Sequence, residues 1–264
     1  MTLSQPVNPD ERAIRVRRVL VAAIAVAAVL ACAFAVAALS AADEAASAVH
    51  QQGGGSEPPE WSADEDARDD PLVRHTPSVE VPSLVSLLGK DVPGAVEAIG
   101  HGAAVRGDAQ PAAGKAQFVM VALAGERAKD GAGAPTVTLE LDDSGRVVGA
   151  TYSAALRLYG FSNGLTFAQA IDEAHVVQAA LGDAGVQVAP GLVQASANPD
   201  DYSTYNDDGH MLVREHADFA GEGAAAGQKV RWTAALDYDY AEANDTGNLV
   251  YTHRVLSVGV APLL

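Results

Sequence analysis

Gly160-Phe161-Ser162-Asn163-Gly164 carries the Gly-x-Ser-x-Gly pattern of a nucleophile elbow, in which glycines permit the sharp strand-to-helix turn that exposes a serine hydroxyl. Asp237 or Asp239, and then His253, follow Ser162 in the Ser…Asp…His order of α/β-hydrolase triads. An elbow needs a parallel sheet of alternating strands and helices, whereas the flanking segments read as strands in groups and the next helix signal is Thr166. The expected role is therefore a glycine-flanked loop between a strand and a capped helix. Asp237 and Asp239 share one strand face, as a glycosidase carboxylate pair must be close, but aromatic residues to line a sugar cleft are few. These two acids are expected on a solvated outer face.

The seven histidines are His50, His75, His101, His175, His210, His216 and His253, and none has the His-x-x-x-His or Cys-His spacing that sets zinc ligands on one face. His216 and His253 fall on expected strands, where a sheet can bring them toward each other. The run Asp200-Asp201-Tyr202-Ser203-Thr204-Tyr205-Asn206-Asp207-Asp208-Gly209 is rich in hard oxygen donors but lacks the ligand spacing of a calcium loop. Gly53-Gly54-Gly55 lacks the strand and lysine of a phosphate loop. No catalytic, cofactor-binding or metal-ligating residue is assigned, no cofactor is implied, and the chain is read as non-enzymatic. Tyrosine beside acids suits protein recognition, because it offers large contact area at low entropy cost. Tyr202, Tyr205, Asp207 and Asp208 are the candidate binding residues.

Charge narrows the partner classes. The chain has 264 residues and a formal charge of −17. Its first 18 residues hold four arginines against two acids, whereas residues 43–71 hold nine acids against Arg68. Nucleic-acid affinity comes mainly from Lys and Arg neutralising phosphates, so so acidic a chain is a poor binder of DNA or RNA. Anionic lipid surfaces repel it for the same reason.

Val19 to Leu39 is an uninterrupted run of 21 uncharged residues, ten of them alanine. About 20 residues span the hydrocarbon core as a helix, and a cleaved signal peptide has an apolar region of only about 7–15. The segment is read as a retained transmembrane anchor, with secretion after cleavage near Ser40–Ala42 as the alternative. Val29-Leu30-Ala31-Cys32 resembles a lipoprotein processing box, but Ala33 to Leu39 stay apolar where a lipidated chain turns polar, so Cys32 reads as a small hydrophobe within the span. Arg12, Arg15, Arg17 and Arg18 precede the span and the next basic residue is Arg68, which places the N-terminus in the cytoplasm and the remainder outside it.

The expected organisation is a basic cytoplasmic stretch over 1–18, the membrane helix over 19–39, a disordered acidic linker over 40–79, and α+β units over 80–160 and 161–264. The linker combines Gly, Pro, Ser and acids and cannot bury enough apolar area to offset the entropy of ordering it. Leu84, Leu87 and Leu88 behind Ser83 predict a short capped helix, and Asp91 with Pro93, Val96, Ile99 and Gly100 predicts a second. Strands are expected over 117–123, 136–141 and 147–153, with Asp142-Asp143-Ser144-Gly145 as a hairpin turn. Thr166-Phe167-Ala168-Gln169 is a capping box opening one bent helix or two, and strands are then expected over 211–219, 229–240 and 249–260. Helices followed by three strands, twice, predict helices packed on antiparallel sheet, with a tandem duplication of a helix-pair plus three-strand unit as the finer expectation.

At Leu88-Gly89-Lys90-Asp91 followed by Val96, Ile99 and Gly100, the chain resembles the helical start shared by small outer-membrane-assembly lipoproteins and the β-lactamase-inhibitor-protein superfamily. That resemblance implies a helical pair on a small antiparallel sheet and action by binding other proteins. The overall plan is also similar to anchored extracytoplasmic proteins of actinobacteria. Function is therefore expected to be non-catalytic binding of a protein or cell-envelope component, with a cell-envelope hydrolase acting through Ser162 as the alternative. The anchor reading has a direct check: on fractionation the full chain stays with membranes through alkaline carbonate washing, and deletion of 19–39 releases it. Recovery of the intact chain solely in the culture medium contradicts retention.

Overall fold

The computed structural model describes residues 70–111, 117–123 and 134–263. The expected cytoplasmic stretch, membrane span and most of the linker lie outside the described residues. Among the described residues no helix is long and apolar enough to cross a membrane.

Eight antiparallel strands form one sheet, with a few short helices. The chain runs through a 3₁₀ turn (Leu84–Leu87), α1 (Val92–Ile99), β1 (Ala103–Pro111), β2 (Gln117–Leu123), β3 (Thr136–Leu141) and β4 (Val147–Ala155). A 3₁₀ turn (Leu156–Tyr159), α2 (Phe167–Asp172) and α3 (Val176–Asp183) follow, then β5 (Ser203–Tyr205), β6 (Leu212–Ala225), β7 (Gln228–Asp239), α4 (Ala241–Thr246) and β8 (His253–Pro262). The strand order is β1-β2-β3-β4-β8-β7-β6-β5. Each half thus lays four strands from an edge to the centre, one more than expected, and the halves meet where β4 pairs with β8.

The two unexpected strands are both edges. β1 has no apolar alternation, shifts register between Arg106 and Gln110, and carries Gly107 at φ 68, all features that blunt an exposed edge. β5 is only three residues long. Two further expectations are corrected. Ser83 makes no side-chain cap; its carbonyl instead accepts from the Ser86 amide (3.0 Å) and hydroxyl (2.6 Å), and the turn stays 3₁₀. Leu249–Tyr251 is a 3₁₀ turn stapled by the Asn248 side chain rather than the start of a strand, so β8 begins at His253.

Period-two burial decides which way the sheet faces. Along β7, Val230, Trp232, Ala234, Leu236 and Tyr238 point into the core, where they meet Leu256, Val258 and Val260 of β8 and Ala150, Tyr152 and Ala154 of β4. The helices close this face with Leu84, Leu87, Ile99, Phe167, Ile171, Val177 and Leu181. Thr166 caps α2 as expected: its hydroxyl accepts from Gln169 N (3.3 Å), and Gln169 Oε1 accepts from Thr166 N (3.2 Å). His175, at φ 49, breaks the helical run into α2 and α3. On the opposite face a cross-strand row of small side chains, Ala122, Thr136, Ser153, Ser257 and Ala235, is also buried, and the Ser153 and Ser257 hydroxyls sit 2.7 Å apart across the central seam.

Residues 74–79, which the sequence assigns to the linker, lie along the 156–161 turn, so packing starts ahead of position 80. His75 N donates to Gly160 O (2.8 Å), Ser78 N to Leu158 O (3.0 Å) and Arg74 Nε to Tyr159 O (2.8 Å), while the Arg74 guanidinium pairs with Asp183 and lies 5.0 Å from the Phe161 ring centre. Gly160 is needed at this junction. It has φ 85, and a Cβ there falls 2.3 Å from the His75 carbonyl oxygen. Gly160→Ala therefore loses several kcal/mol in urea unfolding, whereas Gly89→Ala, with φ 76 but open space around it, loses only about 1 kcal/mol.

Candidate functional site

Charged groups gather on the sheet face opposite the helices, at the β6–β7 pairing. Alternation along β6 puts Arg214, His216 and Asp218 on that face, and register sets His216 directly opposite Asp237 of β7. Arg214 Nε lies 3.0 Å from both Asp237 oxygens, and its Nη2 also donates to Oδ2. His216 Nδ1 is 3.0 Å from Asp237 Oδ2 and its Nε2 is 3.2 Å from Asp218 Oδ2. Asp237 is 7% exposed. This corrects the expectation of a solvated carboxylate: the acid is a buried acceptor shared by two cations.

The electrostatics follow from those contacts. Hydrogen bonds to Asp218 and then Asp237 push His216 up to about 9, against a smaller opposing effect of burial. Burial by itself raises Asp237, but the hydrogen bonds from His216 and Arg214 outweigh it and hold the carboxyl below its usual value. A histidine with both ring nitrogens donating to carboxylates is an imidazolium at neutral pH, so it has no lone pair with which to act as a general base. The group is an ionic clamp between β6 and β7.

Ser162 is placed differently from a nucleophile elbow. Its Oγ accepts from Gly164 N (2.9 Å), and the strand before it, β4, is antiparallel to both neighbours. Asp239 Oδ1 accepts from Ala241 N (2.8 Å) at the start of α4, and His253 Nε2 lies 2.9 Å from Glu242 Oε2. His216 and His253 are not brought together, because β7 runs between their strands. Among the described residues no group of three or more His, Cys, Asp or Glu side chains is arranged to hold a metal ion.

The candidate binding residues divide. Tyr202 turns inward and stacks on Phe167, ring centres 4.9 Å apart, as part of an aromatic chain that continues from Phe167 to Tyr238 (5.4 Å). Burial raises its hydroxyl pKa. Tyr205 is 45% exposed, and Asp207 and Asp208 are exposed in the turn that follows, where Asn206 Oδ1 accepts from His210 N and Met211 N, each at 3.1 Å. Just before β5, Asn198 caps the Pro199–Asp201 turn and Asp201 accepts from Ser196 Oγ.

Sequence reading missed the neighbours of Tyr205. β6 starts, β7 ends and β8 starts at this same end of the sheet, with α4 and the Leu249–Tyr251 turn between β7 and β8. Asn244 Nδ2 ties α4 to Leu212 O (2.8 Å). Met211, Leu249, Val250 and Tyr251 are thereby placed with Tyr205 at one end, all between 45% and 68% exposed. Three consecutive apolar residues over 249–251 had read as strand, which hid them; Asn248 before them, a capping residue, was the available signal.

No protein-family model, curated protein or solved structure matches this chain.

The clamp sets a pH window. A histidine raised on folding stabilises fully below its unfolded value of about 6.5 and ceases to do so as pH climbs through the folded value, here about 9. Asp237, lowered on folding, contributes above the usual carboxylate range and loses that contribution as pH falls through it. In melting curves between about pH 6 and 10, the wild type therefore loses stability on the alkaline side and His216→Gln loses less over the same range.

Proposed function

We propose that the chain is a membrane-anchored, extracytoplasmic binding module that engages a protein or envelope component through the apolar end of its sheet. The observation that carries this reading is the exposure of Tyr205, Met211, Leu249, Val250 and Tyr251 at one end, bordered by Asp207 and Asp208. Large apolar side chains gathered on a surface and rimmed by polar groups characterise interaction sites, and burying them against a partner yields about 25 cal/mol per Å² of apolar area. Aromatic anchors beside acids add directional contacts. The imidazolium state of His216 and the hydrogen bond held by Ser162 favour binding over hydrolysis.

The anchor over 19–39, the cytoplasmic N-terminus and the extracytoplasmic position of the sheet are part of the same proposal, with secretion after cleavage as its variant. The matching halves of the sheet support descent by tandem duplication: each has short helices followed by four strands that run from edge to centre, although the repeating unit contains one more strand than the sequence suggested. A helix-bearing face on antiparallel sheet is also the plan implied by the resemblance to the inhibitor-protein and assembly-lipoprotein superfamily.

Affinity capture with the detergent-solubilised full chain is the test. Reproducible recovery of one partner, lost in a Tyr205→Ala, Leu249→Asp, Tyr251→Ala variant that melts like wild type, is the expected result. Capture unaffected by those changes, or turnover of ester or cell-wall substrates abolished by Ser162→Ala, overturns the proposal.

A further inference from the structure

The sheet face opposite the helices is built from small side chains in cross-strand rows. The row Ala122, Thr136, Ser153, Ser257 and Ala235 is only 2–6% exposed. Beside it runs a second row, Thr138, Thr151, Gly259 and Thr233, whose threonines are half-buried. α1, α2 and α3 all pack on the other face. Two layers make a domain, and a sheet face that carries no helix can be closed by a second sheet laid on it. Thr136 marks this face as incomplete, because its Oγ1 is buried and has no hydrogen-bond partner among the described residues.

The next row out carries two charges placed evenly about the β4–β8 seam. Glu140 of β3 is opposite Gly149 of β4, and Arg231 of β7 is opposite Ala261 of β8. Continuing the β4–β8 register by one pair sets Gly149 beside Ala261, so Glu140 and Arg231 lie at one level, each one strand out from the seam. Glu140 leans over the glycine toward that seam, because a Cβ on Gly149 falls 3.0 Å from its Oε2. Burial pushes the Glu140 carboxyl up, and no cation pairs with it among the described residues. Arg231 is half-buried and also makes no ion pair among the described residues; Glu222 lies opposite it on β6, but Lys229 adds a second positive charge on the same face, so that corner is net positive. Within one chain, β4 and β8 keep the acid and the base apart. The Arg214–His216–Asp218–Asp237 clamp further along this face balances two cations with two acids and repels neither sign.

We propose that this face is a homodimer interface, in which two copies pack sheet on sheet about a two-fold axis running along the β4–β8 seam. Such a rotation lays β4 on the partner's β8 and β3 on the partner's β7. Glu140 then meets the partner's Arg231, and the reciprocal pair forms on the other side of the axis. Thr138 meets the partner's Thr233, and Ser153 meets the partner's Ser257. A surface that complements itself under a two-fold rotation is what an isologous contact requires, and an unrelated partner gives no reason for that symmetry. The area suffices. Six strands from β2 to β6, about 4.8 Å apart, and about seven residues of about 3.4 Å each give a face of about 700 Å². Two such faces bury about 1,400 Å², within the range of about 1,200–2,000 Å² for a stable interface. This face is separate from the apolar end of the sheet, and the proposal stands without that reading.

Sedimentation equilibrium of the full chain in detergent, at physiological ionic strength so that its charge of −17 is screened, is the test. The wild type is expected to dimerise at micromolar concentration. Glu140→Arg and Arg231→Glu each set like charges against one another on both sides of the axis, and each weakens the dimer about tenfold or more. An equimolar mixture of the two variants regains both ion pairs, as does the double variant Glu140→Arg with Arg231→Glu, and both associate like wild type. A second measurement does not depend on those variants folding. Chains with Cys32→Ser and Thr138→Cys are mixed with chains carrying Cys32→Ser and Thr233→Cys and treated with a short bismaleimide; the expected product is the mixed dimer, which neither chain gives alone. A monomeric wild type, charge variants that associate like wild type, a mixture that stays dissociated, or absence of the mixed cross-link overturns the proposal. Tyr205→Ala with Tyr251→Ala leaves dimerisation unchanged, so failure here is distinguishable from failure of the apolar-end reading.

Discussion

The two halves of the molecule meet along one antiparallel seam, and the pairing of β4 with β8 governs the rest. Six residue pairs from Ala150–Val260 to Ala155–Val255 join the halves, with the Ser153 and Ser257 hydroxyls in contact at the middle. Because side chains alternate strictly across a strand, fixing this register fixes which face of all eight strands points inward. Both sets of helices then cover the same face, and 40 buried residues among the described ones share one core. A slip of one residue at the seam would keep Tyr152 inward only by turning Leu256 and Val258 outward.

That single constraint also sorts the chemistry. Once alternate residues of β7 belong to the core, Asp237 must sit on the other face, and once β6 is registered against β7, His216 and Arg214 must sit beside it. Buried carboxylates persist only when paired, and here the compensation is two cations and a second acid, which leaves the cluster near neutral. A group so fully paired is a fastener. Reactivity in the conventional sense is spent on holding two strands in register, while the places left open to solvent are apolar ends and backbone edges.

Much of the architecture was legible in residue pattern. The β7 alternation, the Asp142–Gly145 turn, the Thr166 capping box and the α1 stop at Gly100 all appear where local physics puts them. β1 and β5 were not legible because edge strands lack the period-two signal: one carries a register shift and a left-handed glycine, and the other is too short to show a period. Leu249–Tyr251 looked like strand because three apolar residues in a row resemble a buried one, but they form an exposed 3₁₀ turn between β7 and β8.

Sequence by itself determined the local features: helix caps, turns, the strongly alternating strands, the acidity that disfavours nucleic acid, and the apolar run over 19–39. These depend on neighbours within a few positions, so the information is contiguous. Tertiary structure alone decided which polar groups became partners and which surfaces stayed open. Arg214 and Asp237 are 23 positions apart, Ser153 and Ser257 are 104 apart, and Glu140 and Arg231 reach one level of one face only because β4 pairs with β8. Such pairings are set by strand register, and register is a property of the assembled sheet, where the burial of one common face selects it.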